Sequence, residues 1–464
     1  MSGGGYRSLL TGGGVIQGLD GRDSNVSTSG LYQAMSYQAG LSGGGWLLSS
    51  LAGNNYPTVS FLKDKLWKKN FQESLLDPGF LISIGPYFEV VKDIALKELS
   101  GYDTTLVDVY GRLLSYQLLD FDGDPETTMS SLASMSNFKT HKVPFPIITA
   151  LGVKTWEGQC LPGPNATTYE FNPFEFGSWD SDISAFAQIK YLGTPMDQGK
   201  PSRRGILKCT NNYDNLGYIM GTSSNLFNFL CSVVPPAQNS TSSLVETLAQ
   251  ILSYSHELAT SDQYAIYRNP FKNYKPASTG FNPANNVQAQ NSLKLVDGGE
   301  ALQNNPLFPL LQPARKISAI IVNDNSADTK FNFPNGSEIL TTYVQSFNQK
   351  LTRMPFIPSV ETFLANGLDK KPTFFGCNDT SKITIVYIPN AAYSTASNVS
   401  TSQLVYRKEQ TEAMIANGVQ IITQGGKPGW ATCLGCGLMM KTGERLPDEC
   451  QACFREYCYL PPTR

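Results

Sequence analysis

The chain predicts a mixed α/β fold, a central sheet flanked by helices, and three observations carry that prediction. Short apolar runs bounded by polar or turn residues read as strands: Phe145–Ala150, Leu293–Val296, Ile317–Val322 and Ile383–Ile388. Longer amphipathic stretches between them, including Ser243–Leu258 and Ser337–Lys350, read as helices. Gly40-Leu41-Ser42-Gly43-Gly44 matches G-x-S-x-G, the sharp strand-to-helix turn that exposes a serine hydroxyl at the top of an α/β sheet. The strand that ends at Asp297 lies far downstream of that turn, so the sheet is assembled from distant segments. This favours one interwoven domain over residues 1–464, with a cysteine-rich end at about 430–460 and no internal repeat.

In chain order, Ser2-Gly3-Gly4-Gly5-Tyr6-Arg7 comes first. Glycines reach backbone angles closed to other residues, so consecutive N–H groups can point into one concavity. Leu31–Gln38 reads as the approach to the serine turn and Trp46–Leu51 as the helix beyond it. The N-terminal dipole of that helix would face the reacting oxygen. Leu295-Val296-Asp297-Gly298-Gly299-Glu300 places Asp297 at a strand end, where α/β sheets put their sites. Thr395–Ser402, rich in Ser and Thr, reads as an exposed loop.

A serine hydroxyl is a weak nucleophile until a base takes its proton. The chain has two histidines, His141 and His256, and both precede Asp297. Neither fits the Ser, Asp, His order of an α/β-hydrolase triad. Asp297 as the direct partner of Ser42 is the better reading. A glycine nest then supplies the oxyanion site, where losing one donor costs roughly 2.7–4 kcal/mol of barrier. Arg7 can hold a phosphate through its planar guanidinium. Each motif alone has an ordinary explanation. Asp-Gly is a common turn, Arg7 can be a solvated helix residue, and Gly3–Gly5 can cradle a nucleotide phosphate. Neither that run nor Gly12-Gly13-Gly14 completes G-x-G-x-x-G, however, and no G-K-[ST] follows. Only the combination describes cleavage of an acyl ester that carries a phosphate.

Composition narrows the class. A net charge of −2 gives no reason to expect nucleic-acid binding, and Lys65–Lys69 reads as a solvated helix face. No apolar stretch approaches the roughly 20 residues of a membrane span, and the C-terminus lacks the tail of a glycolipid-anchor signal. Lipid is therefore met at a surface or in a pocket. Six N-glycosylation triplets occur, at Asn25, Asn165, Asn239, Asn335, Asn378 and Asn398. Chance alone gives roughly five, so the count decides nothing. Among nine cysteines, Cys433-x2-Cys436 and Cys450-x2-Cys453 approach a zinc spacing. Disulfides, with Cys458, Cys160, Cys209, Cys231 and Cys377 taking part, compete with it.

On these motifs the chain resembles the fungal lysophospholipases, also called phospholipase B, related to the cytosolic phospholipase A2 catalytic domain. The resemblance extends through Lys142–Ile148, Tyr169–Asp180, Asn215–Ser224, Asn304–Leu310 and the cysteine-rich end, essentially the whole chain. It implies a patatin and cytosolic phospholipase A2-like serine hydrolase that releases fatty acid from phospholipids and lysophospholipids through an acyl-enzyme, without cofactor, metal or catalytic histidine. Water resolves the acyl-enzyme, or an acceptor alcohol in transacylation. By position, Ser42 becomes the nucleophile, Asp297 its base, Gly4 and Gly5 the oxyanion donors and Arg7 the phosphate ligand. It also implies disulfides over zinc, and a secreted or cell-wall address at a membrane or micelle surface, with glycans expected at Asn165, Asn239 and Asn398. An inactive lipid-binding homologue and a structural wall protein with a zinc-holding end are the rival readings. In relatives the triglycine follows an apolar strand and a secretion signal. Here it stands at Met1, with nothing that reads as a signal peptide. The expectation is a nest poorly held at a fraying terminus, and weak turnover.

Overall fold

The computed structural model describes residues 1–75, 84–202, 209–228, 259–275 and 287–461. The expected helix Ser243–Leu258, with His256, Cys231 and Asn239, lies outside them. Helix α1 (Gly5–Leu19) follows the triglycine at once and is buried at every residue but Gln17. The segment Leu31–Gln38 divides. Residues Leu31–Ala34 form one helical turn, and only Tyr37–Gly40 form the strand β1. Gly30, at φ 96°, turns the chain into that helix, and pairing with the next strand begins at Tyr37. Helix α2 (Ser42–Gly53) and helix α3 (Leu106–Leu118) come next, α3 closed by a Thr105/Asp108 capping box.

Strand β2 (Phe145–Gly152) is the spine, buried from Pro146 to Leu151. A strand covered on both faces has no polar alternation to show, which is why its sequence reads as one apolar run. Strands β3 (Thr168–Phe171), β4 (Glu175–Ser178) and β5 (Ala185–Gln188) extend the sheet antiparallel on one side. Helix α4 (Leu216–Ser223) packs against α3 and β2, and β6 (Ala265–Arg268) pairs with β7 (Ser292–Asp297). The seven strands β5-β4-β3-β2-β7-β6, with β1 also on β2, make the first sheet.

A second sheet holds β8 (Ala319–Asp324), β9 (Thr373–Phe375) and β10 (Thr384–Pro389), with helix α5 (Ser337–Asn348) between β8 and β9 in sequence. Its order is β8-β10-β9, with β8 and β10 parallel. The runs expected at 145–150 and 293–296 are thus strands, those at 317–322 and 383–388 are strands that start two residues and one residue later, and the helix expected at 337–350 ends at Asn348. Helix α6 (Lys408–Thr423) crosses α1 where both carry glycine: a Cβ on Gly14 would stand 1.9 Å from the Ile415 carbonyl, and one on Gly418 2.1 Å from that of Thr11. The second triglycine is thereby a helix crossing and not a phosphate cradle. Helices α7 (Trp430–Met439) and α8 (Glu449–Tyr457) are tied by Cys433–Cys453 and Cys436–Cys450, and Cys377–Cys458 ties the β9 loop to the end of α8. The four cysteines with zinc-like spacing are paired with one another, which overturns the zinc reading. Cys160 is also disulfide-bonded. Cys209, expected in a disulfide, is an exposed free thiol.

Candidate active site

Strands β1 and β7 share one edge of β2, and their ends face each other there. β1 runs parallel to β2, with Gly40 opposite Ile148. β7 runs antiparallel, with Asp297 opposite Ala150. Two residues of a strand span about 7 Å, so the chain leaving β1 and the chain leaving β7 meet. Ser42 and Asp297, 255 residues apart in sequence, come together at that point.

Ser42 has φ 50°, left-handed backbone that non-glycine residues seldom adopt. It begins α2 straight after the extended Leu41, the geometry of a strained nucleophile turn. Its amide donates to Ser223 Oγ at 3.1 Å, and that hydroxyl donates to the Thr149 carbonyl of β2 at 2.7 Å. The turn is fastened to the sheet through one serine of α4. Asp297 is buried, and its Oδ1 accepts the Gly299 amide at 2.6 Å. Burial pushes its pKa up to about 6, while the Gly299 amide and the Ser42 hydroxyl, both hydrogen-bonding to it, pull the other way.

The triglycine lies directly over the turn. A Cβ on Gly43 would fall 2.1 Å from the Gly5 carbonyl, and one on Gly44 2.5 Å from that of Met1. Gly4 and Gly5 have φ 134° and 58°, and among the described residues neither amide meets an acceptor. Two N–H groups at the start of α1 are left for a ligand oxygen. Contrary to the expected fraying, this segment is held. The Met1 ammonium donates to the Ala39 carbonyl at 3.0 Å, Ser2 N–H to that of Asn323 at 3.2 Å, and Gly3 N–H to Asn304 Oδ1 at 3.0 Å. The Ser2 hydroxyl accepts the Asn325 amide at 2.6 Å.

Arg7 is buried, so it is not a solvated helix residue. Its Nε donates to the Asn325 carbonyl at 2.8 Å and its Nη1 to that of Val399 at 2.7 Å. Its Nη2 faces the nest, since a Cβ on Gly4 would lie 2.6 Å from it. Burial lowers its pKa to about 10, well above neutrality, so the site keeps a positive charge.

Several participants were invisible as such in the sequence. Asn304 accepts from Gly3 and donates to Ser326 Oγ at 2.8 Å, and its own amide is held by Glu338 Oε2 at 2.7 Å. Burial raises the Glu338 pKa to about 8. Loop 395–402 is exposed over much of its length, yet it brings the Val399 carbonyl to Arg7 and that of Thr401 against Gly5. Asn304 and Ser223 both lie inside runs that carried the resemblance, which was the one available signal. His141 does not join them. It is exposed before the N-terminal end of β2, whereas the site is at the other end. Asn165 is exposed, and the Asn398 Nδ2 is committed to the Phe331 carbonyl at 2.8 Å.

Residues 1–461 match the family model described as the lysophospholipase catalytic domain. The chain is similar to a lysophospholipase of Arthroderma benhamiae, at 40% identity covering 99% of this chain and 74% of that protein. It is also similar to lysophospholipase 1 of Aspergillus fumigatus, at 38% identity covering 99% and 75%. Among solved structures it is similar in fold to human GIVD cytosolic phospholipase A2, with a TM-score of 0.70 and 16% identity, covering 95% of this chain and 62% of that one. That protein has also been solved in complex with methyl gamma-linolenyl fluorophosphonate, to which the TM-score is 0.61.

Proposed function

Because the chain belongs to the lysophospholipase catalytic-domain family, we propose that it hydrolyses acyl esters of lysophospholipids and phospholipids through a Ser42–Asp297 dyad. The observation that carries this reading is the meeting of β1 and β7 on one edge of β2, beneath two glycine amides that meet no acceptor among the described residues. Ser42 Oγ attacks the ester carbonyl carbon as Asp297 takes the hydroxyl proton. Gly4 and Gly5 N–H groups receive the developing oxyanion, assisted by the N-terminus of α2. Asp297 returns the proton to the departing glycerol oxygen as the C–O bond breaks. A water then gives a proton to Asp297 and attacks the acyl-enzyme, fatty acid departs, and Ser42 Oγ recovers the proton. An acceptor alcohol in place of that water gives transacylation.

Arg7 suits a steadying role for the substrate phosphate. Two of its nitrogens are anchored on carbonyls, the third faces the nest, and no carboxylate pairs with it among the described residues. The disulfides Cys377–Cys458, Cys433–Cys453 and Cys436–Cys450 support an oxidising address, extracellular or in the cell wall. No helix among the described residues is long and apolar enough to cross a membrane. Lipid contact at a membrane or micelle surface is the corresponding proposal. A fluorophosphonate probe tests the whole reading. It should label the chain at Ser42 and leave Ser42→Ala untouched, and labelling at another serine would overturn it.

A further inference from the structure

The two carbonyls that hold Arg7 come from segments that are joined to each other a few residues away. Nε donates to the Asn325 carbonyl and Nη1 to that of Val399. Asn325 follows β8 and leads into the turn 328–335, while Val399 lies in the loop that follows β10. The two segments meet through a reciprocal pair of asparagines. Asn398 Nδ2 donates to the Phe331 carbonyl at 2.8 Å, and Asn332 Nδ2 donates to the Asn398 carbonyl at 3.0 Å. Arg7, Asn325, the turn, Asn398 and Val399 thus close into a ring. The guanidinium spans one side of it and the asparagine clasp the other.

The turn is locked on itself. Thr329 N–H donates to the Phe333 carbonyl at 3.2 Å, Asn332 N–H to that of Thr329 at 2.9 Å, and Asn335 N–H to Asp328 Oδ2 at 3.0 Å. The loop opposite is anchored only at its ends. Asn417 Nδ2 of α6 donates to Ser397 Oγ at 2.9 Å, and the Tyr406 amide donates to the Phe71 carbonyl at 2.6 Å. Among the described residues, the hydrogen bonds that leave residues 398–405 run to the turn and to Arg7. With the clasp open, Arg7 would hold the loop and not be held by it. Two donors in fixed positions define the plane of a rigid fork, and so where its third nitrogen points. A shift of about 1 Å in the Val399 carbonyl would turn Nη2 away from the nest, and misplacements of that size are felt in catalysis. Ser42 and Asp297 would stay on β1 and β7, and the nest would keep its support through Asn304.

We infer that Asn332 and Asn398 are positioning residues whose clasp sets the plane of the Arg7 guanidinium, and thereby the preference of the site for esters that carry a phosphate over neutral ones. The inference rests on the phosphate role proposed for Arg7. A plain loop staple is the competing account. It would leave turnover of every ester unchanged or lower all of them alike, because nothing in it acts through the charge at the nest. The closed ring favours the positioning role, since opening it anywhere frees one of the two carbonyls that fix Arg7.

The test compares kcat/KM for oleoyl lysophosphatidylcholine with that for monooleoylglycerol, which offers the same acyl ester without a phosphate. Asn332→Gly removes one carboxamide without straining a backbone at φ 56°. Asn398→Leu removes the other at similar bulk. Each should lower the ratio of the two kcat/KM values about tenfold, while monooleoylglycerol turnover and fluorophosphonate labelling change less than about threefold. The double variant should lose no more than the worse single variant, since either substitution opens the ring. Asn332→Gly leaves the triplet Asn398-Val399-Ser400 intact, so agreement between the two variants excludes loss of a glycan as the cause. In an Arg7→Lys background, neither substitution should change the ratio by more than about twofold. If Arg7→Lys lowers the ratio and the asparagine variants do not, or if they lower both esters equally, the inference fails and the role of Arg7 stands. Equal losses on both esters from Arg7→Lys itself would overturn that role and the inference with it.

Discussion

The two glycine-rich segments that build the site are supported very differently. The nucleophile turn, Gly40–Gly44, continues β1, which is laddered onto β2, and is fastened again through Ser223. The nest, Gly3–Gly5, is reached through two residues that bond to one strand each, and is steadied mainly by the Asn304 side chain. Both must be placed within a fraction of an ångström for acyl transfer. One achieves this through the sheet, the other through side chains from distant segments. The nest is therefore the more vulnerable half.

The largest expected effects abolish chemistry whatever the support. Ser42→Ala and Asp297→Asn should each lower turnover by at least about a thousandfold, asparagine being unable to accept the proton. His141→Ala should change it less than about twofold, since His141 is exposed away from the site. His256→Ala should do the same. A thousandfold loss from either histidine in a folded protein would replace the dyad with a triad.

Next comes the contact between the two segments. Gly43→Ala forces a methyl against the Gly5 carbonyl, 2.1 Å away on the present backbone. The nest must lift off the turn, and kcat should fall about 10²–10³-fold, the range for losing one oxyanion donor. Circular dichroism should show the fold retained, and an unchanged kcat would show that the oxyanion is received elsewhere.

The comparison is sharpened by removing one prop from each side. Asn304→Ala takes the brace from Gly3 and should cost about 10–100-fold in kcat. Ser223→Ala takes one hydrogen bond from a turn the sheet still holds, and should cost less than about tenfold, in keeping with a net 0.5–1.5 kcal/mol for one such bond. The reverse ranking would mean that the turn is the fragile half. Arg7→Lys belongs between them. It keeps the charge but loses the planar fork, so phospholipid turnover should fall more than that of a neutral ester, and equal losses would make Arg7 a purely structural anchor.

The same division explains what was legible in the sequence. The turn at Ser42, the strand end at Asp297, the triglycine bend and four core strands could be read locally, because a tight turn, a positive φ and a largely buried strand each leave a short pattern. Asn304, Ser223 and Glu338 could not. They act across 301, 181 and 34 residues respectively, and nothing adjacent to them announces it. The cysteine spacing by itself left zinc and disulfides both open for a related reason: Cys433 to Cys453 and Cys436 to Cys450 cross-pair two helices as readily as they would surround a metal. Gly12–Gly14 completed no nucleotide motif, and its role at a helix crossing, set by Ile415 and Gly418 some four hundred residues away, left no local pattern to read.

The smallest expected effect is a pH dependence in which stability and activity move in opposite directions. In the proposed dyad Asp297 must be ionised to act as base, so probe labelling should rise as pH increases through about 6. Stability should fall over the same interval. Glu338 and Glu300 are raised by burial to about 8, Asp180 to about 7, and Asp297 and Asp328 to about 6. Unfolded carboxyls titrate near 4, so between pH 5 and 8 the folded chain binds more protons on these groups than the unfolded chain does. Their contribution is full below pH 4 and lost as pH rises through the folded values. The Met1 amine, lowered to about 5 by burial, opposes this. Calorimetry should find Tm lower at pH 8 than at pH 5 by on the order of a few degrees. Glu338→Gln keeps an acceptor for the Asn304 amide and removes a titrating group. It should flatten the stability slope without moving the midpoint of labelling. If that midpoint moved with it, the brace behind the nest and the base beneath it would be titrating as one unit, and the separation between the two halves of the site would fail.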